Sequence, residues 1–163
     1  MKTPTSRPSD KSITILSWIF PLTYLVHIAE EYWGGEGYSA YIFRIRGVHL
    51  SPARFLAAQS IGLILVTLGV ILAKHFRFPQ TMLLILGTIV LINGLTHSFT
   101  SITTDTYGPG LYSSVLIWLP LGLITLLGFK NGVTRRRYWL CVGIGVAVNV
   151  LIGVITMRGG RLV

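Results

Sequence analysis

Five stretches of this 163-residue chain contain no Asp, Glu, Lys or Arg: Ile13 to Ala29, Phe55 to Ala73, Phe78 to Thr104, Thr106 to Phe129 and Tyr138 to Met157. Each approaches or exceeds the ~17 to 20 residues that a helix needs to cross the hydrocarbon of a bilayer. The pattern points to an all-α, polytopic membrane protein, a bundle of five transmembrane helices. Composition agrees, because only 12% of the residues are charged, against about 25% in a soluble domain. The helices are expected at about 12–32, 52–74, 79–103, 108–129 and 138–157, in a single membrane domain over 12–163 that follows a short disordered cytoplasmic lead at 1–11.

Charge then sets the orientation. A formal net charge of +9 would suggest nucleic acid in a soluble protein, but here the basic residues sit in loops and tails, where they orient helices. With the N-terminus in the cytoplasm, the inner segments hold Lys2, Arg7, Lys11, Lys74, Arg77, Lys130, Arg135, Arg136 and Arg137, against Arg44, Arg46, Arg54, Arg158 and Arg161 outside. The first apolar run follows three basic residues as a signal peptide would. It continues into Glu30-Glu31-Tyr32-Trp33 rather than a small-x-small cleavage pattern, so it is read as a helix. The expected location is the cell membrane. The single cysteine, Cys141, falls inside the fifth helix and allows no intrachain disulfide.

One place puts an imidazole and two carboxylates in an apolar segment: His27-Ile28-Ala29-Glu30-Glu31. Positions i, i+3 and i+4 of a helix share a face, so His27, Glu30 and Glu31 converge on one patch. A charge within a membrane helix costs roughly 2.5–3.5 kcal/mol at its centre on insertion scales, so it is rarely kept without a partner or a task. Near the top of the third transmembrane helix, Asn93 and His97 share a face in the same way, at about the depth of His27.

The connections carry further signals. Tyr38 to Leu50, with Arg44 and Arg46 among aromatics, suits an amphipathic segment lying on the surface, with a lid over the patch as the alternative. Ser51-Pro52 caps and starts the second transmembrane helix, and Gln59 lies two turns in. Pro109 is well placed as the first residue of the fourth transmembrane helix, whose N-terminus would favour an anion. Pro120 is expected to kink that helix. Lys130 to Arg137 suits contact with anionic headgroups. In the fifth, Gly143, Ala147 and Gly153 offer a small-residue packing face and Asn149 an interhelical hydrogen bond.

His27-x-x-Glu30-Glu31 at the end of the first helix, followed by Asn93-x-x-x-His97 and by Tyr107-Gly108-Pro109-Gly110, resembles the HXXEE family of small bacterial and archaeal membrane proteins. The resemblance covers roughly residues 13–128. It implies little about activity, because the family is functionally uncharacterised. The chain departs from the family pattern at Gln59, where an asparagine is expected, and at Asp105-Thr106, where basic residues are expected.

Three functions fit these residues. Two imidazoles and a carboxylate with an open position form the ligand set of catalytic zinc and also match the facial triad of non-haem iron. In that reading a divalent metal, zinc before iron, is held by His27, His97 and one of Glu30 or Glu31, while the other glutamate serves as general base. Depth assigns Glu30 to the metal and Glu31, nearer water, to proton transfer. Asn93 or Tyr107 would orient the substrate, a lipid or other apolar small molecule hydrolysed at the membrane–water boundary. A second reading needs no metal: a His/Glu cluster in an apolar cavity can shuttle protons and isomerise a sterol-like or isoprenoid substrate. The third is a non-enzymatic lipid- or metal-binding protein. Transport is disfavoured, since ionisable groups are confined to one level. His49 is a third imidazole that could close over the site, and His75 lies in a basic turn away from it.

Overall fold

The computed structural model describes residues 10–159. The expected disordered lead, except for its last two residues, lies outside the described residues, as does Arg161. Among the described residues there is no strand. The helices are α1 (Asp10–Trp33), a short α2 (Tyr38–Arg46), α3 (Pro52–His75), α4 (Pro79–Thr104), α5, and α6 (Arg135–Gly159). Helix α5 is built of three consecutive pieces: an α-turn at Leu111–Ser113, a π-turn at Ser114–Trp118 and an α-helix at Leu119–Phe129. Among the described residues five helices are long and apolar enough to span a membrane, and the chain is a multi-pass membrane protein. The large side chains left exposed, such as Leu65, Leu116 and Ile155, are the lipid-facing surface such a bundle requires.

Helix α4 is the centre of the bundle and packs against α1, α3, α5 and α6. Its Leu83, Leu84, Leu86 and Val90 join Phe20, Trp118, Phe129 and Cys141 in the buried core. In lipid, helices associate by close packing rather than by hydrophobic burial, so small residues mark the contacts. Gly87 of α4 meets Gly122 of α5 so closely that a Cβ on Gly122 would lie 2.8 Å from the Gly87 carbonyl oxygen. On α6 the packing glycine is Gly145, against Thr88 of α4, whereas Gly143 and Gly153 have open space around them. The small-residue face expected from Gly143, Ala147 and Gly153 is thus corrected to the face bearing Gly145 and Asn149. Asn149 does cross between helices, donating to the Ile89 carbonyl of α4 at 3.2 Å.

The chain reverses between long helices, so the C-terminal ends of α1 and α4 and the N-terminal ends of α3 and α5 meet at one end of the bundle. Ser51 caps α3 as expected, accepting from the Arg54 amide at 3.3 Å, with Pro52 next. The fourth long helix begins at Leu111 rather than at Pro109, because Gly110 takes a left-handed conformation (φ 91°) that ends the turn. Pro120 has no N–H to continue the α ladder, and the helix reaches it through the π-turn, in which the Leu119 amide bonds the Ser114 carbonyl.

Candidate metal centre

His27 and Glu31 are one turn apart on α1 and both are buried, 1% and 3% exposed. His97 reaches them from α4. Glu31 Oε1 lies 3.6 Å from His27 Nε2 and 3.5 Å from His97 Nε2, and the three residues offer ligand atoms all within 4.8 Å of one another. These separations are too long for good hydrogen bonds. They are close to the roughly 3.3–3.4 Å that a tetrahedral ion with bonds of about 2.0–2.1 Å imposes on its ligand atoms.

The protonation of His27 follows from its other nitrogen. Nδ1 is 2.8 Å from Ser113 Oγ, and that hydroxyl donates its one proton to the Gly110 carbonyl at 3.2 Å. With the Ser113 proton on that carbonyl, Ser113 Oγ accepts from Nδ1–H, and the tautomer so assigned leaves a bare lone pair on Nε2. That Nε2 is fully buried and has no hydrogen-bond partner among the described residues. A buried acceptor facing a carboxylate oxygen is unfavourable unless a proton or a cation lies between them. Trp118, delivered by the π-turn, stacks on the His27 ring at 3.7 Å between centroids, and His97 meets its edge at 4.9 Å. The ring plane is thus fixed on one side by packing and at one edge by a hydrogen bond.

Glu31 is held by a third helix. Tyr24 donates its hydroxyl to Gln59 Oε1 at 2.5 Å, and Gln59 Nε2 donates to Glu31 Oε2 at 2.5 Å. The acceptor side of the amide is taken by the phenol, so the NH2 group faces the carboxylate. Oε2 is engaged and Oε1 is presented to the imidazoles.

Glu30 does something else. Oε1 accepts from the Tyr107 hydroxyl at 2.9 Å and the Tyr112 amide at 2.8 Å, and Oε2 from the Ser113 amide at 2.6 Å. Gly110 has no side chain with which to cap α5, and a carboxylate from α1 satisfies the orphan amides of its first turn. The anion expected at this helix start is the chain's own. The structure therefore brings together His27, Glu31 and His97 and does not bring Glu30 into the group, because the i+4 residue turns toward α4 and the i+3 residue toward the start of α5. The division of roles expected from depth, Glu30 on the metal and Glu31 free, is opposite to this arrangement. Tyr107 is a partner of Glu30, and burial first, then its bond to that carboxylate, raises its pKa and keeps it a donor.

Asn93 is half-buried one turn below His97. His49 is exposed against the Phe43 ring at 4.4 Å, and His75 is exposed at the opposite end of the bundle. Residues not singled out from the sequence for the site complete it. Ser113 orients His27, Trp118 packs on it, Gln59 and Tyr24 hold Glu31, and Tyr38 of α2 sits with its ring 6.4 Å from that of His97. Burial and the Glu31 charge raise the pKa of Tyr38, so it stays a hydroxyl donor. Gly110 forms one wall: a Cβ there would lie 2.8 Å from His27 Cε1 and 2.9 Å from His97 Cε1.

A family model described as "Protein of unknown function with HXXEE motif" matches residues 18–125, which include every residue of this centre. No curated protein and no solved structure matches the chain.

Proposed function

We propose, from the premise that this chain belongs to the HXXEE family, that it is a membrane-embedded metalloenzyme. It holds one divalent cation, zinc before iron, on His27, His97 and Glu31, and hydrolyses a lipid or other apolar substrate. The observation that carries this reading is the buried, unpartnered Nε2 of His27 facing Glu31 Oε1, with its other nitrogen tied down by Ser113. A hydrogen bond that fixes the tautomer of a histidine is the usual companion of a metal ligand. Two nitrogens and one carboxylate oxygen leave a coordination position open, as catalytic rather than structural zinc sites do.

The bound cation would supply Lewis acidity toward a carbonyl and lower the pKa of a water molecule. The chain's own residues supply the rest. Glu31 provides the single negative charge of the ligand set. Trp118 and the core behind it exclude water from the His27 side, while His97, 11% exposed, is the most open of the three. Tyr38, beside His97, is a hydroxyl that can donate to a substrate oxygen. Glu30, already accepting three hydrogen bonds, is poorly suited to take a proton and serves to position α5.

Metal content of detergent-purified protein tests the reading. About one equivalent is expected in the wild type, none in His27→Ala, and an undiminished amount in His75→Ala. A metal-free wild type with an intact fold would favour the metal-independent proton-transfer reading, and equal loss from both variants would mean nonspecific binding. Turnover on a panel of lipid esters and amides by the metal-loaded protein, with none by His27→Ala, would establish the hydrolase.

A further inference from the structure

We infer that Gln59 determines which cation this centre accepts, by holding Glu31 to one coordinating oxygen. The inference rests on the metal reading and deepens it. Helix α3 is largely exposed, with Phe55, Val70 and Ala73 its buried residues, and Gln59 is its only carboxamide. A half-buried amide on a lipid-facing helix is costly unless both its ends are bonded, and here both are, to Tyr24 and to Glu31.

A second observation shows that this place is shaped for the chain of bonds. Gly62, one turn along α3 from Gln59, leaves the space in which the Tyr24 hydroxyl lies, and any Cβ there would collide with that oxygen. With the phenol in place, Gln59 Oε1 is occupied and its NH2 must point at Glu31 Oε2. An amide hydrogen on Oε2 keeps a cation off that atom, so Glu31 can offer Oε1 alone. Two imidazoles and one monodentate carboxylate suit a small four-coordinate ion such as zinc. Ions that prefer five or six oxygen-rich positions, such as manganese, gain from a carboxylate that binds through both oxygens. Gln59 thus acts through Glu31 as a positioning residue, and its effect is on selectivity.

The test compares zinc and manganese binding to full-length protein in detergent for the wild type, Gln59→Met and Tyr24→Phe, by calorimetry and by the visible spectrum of the cobalt(II) form. Methionine keeps the length of the side chain and removes both polar ends. In Gln59→Met, zinc affinity should fall by about 10–100-fold, the usual cost of losing a partner of a metal ligand, and manganese affinity by much less. The cobalt spectrum should change from the intense bands of a four-coordinate ion to the weak bands of a higher-coordinate one. Tyr24→Phe, which leaves the amide free to turn, should move both readouts in the same direction by a smaller step, and it carries the test if Gln59→Met does not fold. A merely structural role would lower both affinities equally and leave the cobalt bands alone, and that result overturns the inference while the metal reading stands. A folded wild type that binds none of the three ions overturns both.

Discussion

Replacing Glu30 by glutamine separates its helix-capping role from metal ligation. The carboxylate accepts three hydrogen bonds at 2.6–2.9 Å, two on Oε1 and one on Oε2. Glutamine has one acceptor oxygen, which can keep Tyr107 and the Tyr112 amide, but its NH2 group would then face the Ser113 N–H, donor against donor. One hydrogen bond to a charged acceptor is lost, at about 1.5–3 kcal/mol. The favourable charge at the start of α5 goes with it, at about 0.3–1 kcal/mol. The expected destabilisation is therefore about 2–4 kcal/mol, toward the lower figure because the side chain is half-exposed. Unfolding by SDS in mixed micelles, followed by tryptophan fluorescence, reads this directly. Metal content on the same preparations completes the assay: Glu30→Gln should keep most of its cation, and Glu31→Gln should lose it. A Glu30→Gln protein within about 0.5 kcal/mol of wild type, the range of an ordinary surface change, yet empty of metal would refute the reasoning and return Glu30 to the ligand set.

Ser113→Ala removes the acceptor that fixes His27 and should weaken cation binding by about 10–100-fold, while His49→Ala, on an exposed ring, should leave it unchanged in the same calorimetric titration. Gly110→Ala should cost about 1–2 kcal/mol of left-handed strain and also lose the cation, because its Cβ enters the centre. Gly47→Ala, also at positive φ (65°) but with nothing within 4 Å of its Cβ, should show the strain alone in paired unfolding and metal measurements. The pKa of Tyr107 is raised in the folded protein above its unfolded value of about 10. Its contribution to stability is therefore complete below pH ~10 and fades as pH rises through the higher folded value. Thermal scans from neutral to strongly alkaline pH should show that loss in the wild type and a flatter profile in Tyr107→Phe.

The five spans were legible because composition alone sets them: a charge-free run of membrane length has few other structures open to it. The pairing of His27 with His97 was legible from helix lengths, which place both at one end of the bundle. The choice between Glu30 and Glu31 was not. It depends on where the first turn of α5 lies, a contact between residues 82 and 83 positions apart, whereas depth alone made the two glutamates nearly equivalent. Gln59 gave a signal, a lone carboxamide in an apolar helix, but its partners come from another segment. Likewise Gly145 was the packing glycine because Thr88 faces it, and its one-turn spacing from Asn149 was the available clue. The π-turn left no pattern in the residues beyond Pro120, since a single widened turn shifts the apolar stripe too little to be seen.

The bond between Glu30 and the start of α5 also has a consequence for synthesis. The ribosome makes Glu30 some 83 residues before Ser113, and at about 5–20 residues per second that is an interval of roughly 4–17 s. Throughout it, α1 carries a carboxylate, Glu30, whose α5 donors do not yet exist, and a carboxylate in lipid without partners is strongly disfavoured. The first helix must therefore wait with its glutamate end at the water boundary. It can settle to its final depth only when α4 brings His97 and α5 brings its amides, so α1, made before the other four described spans, is among the last of them to be fixed in place.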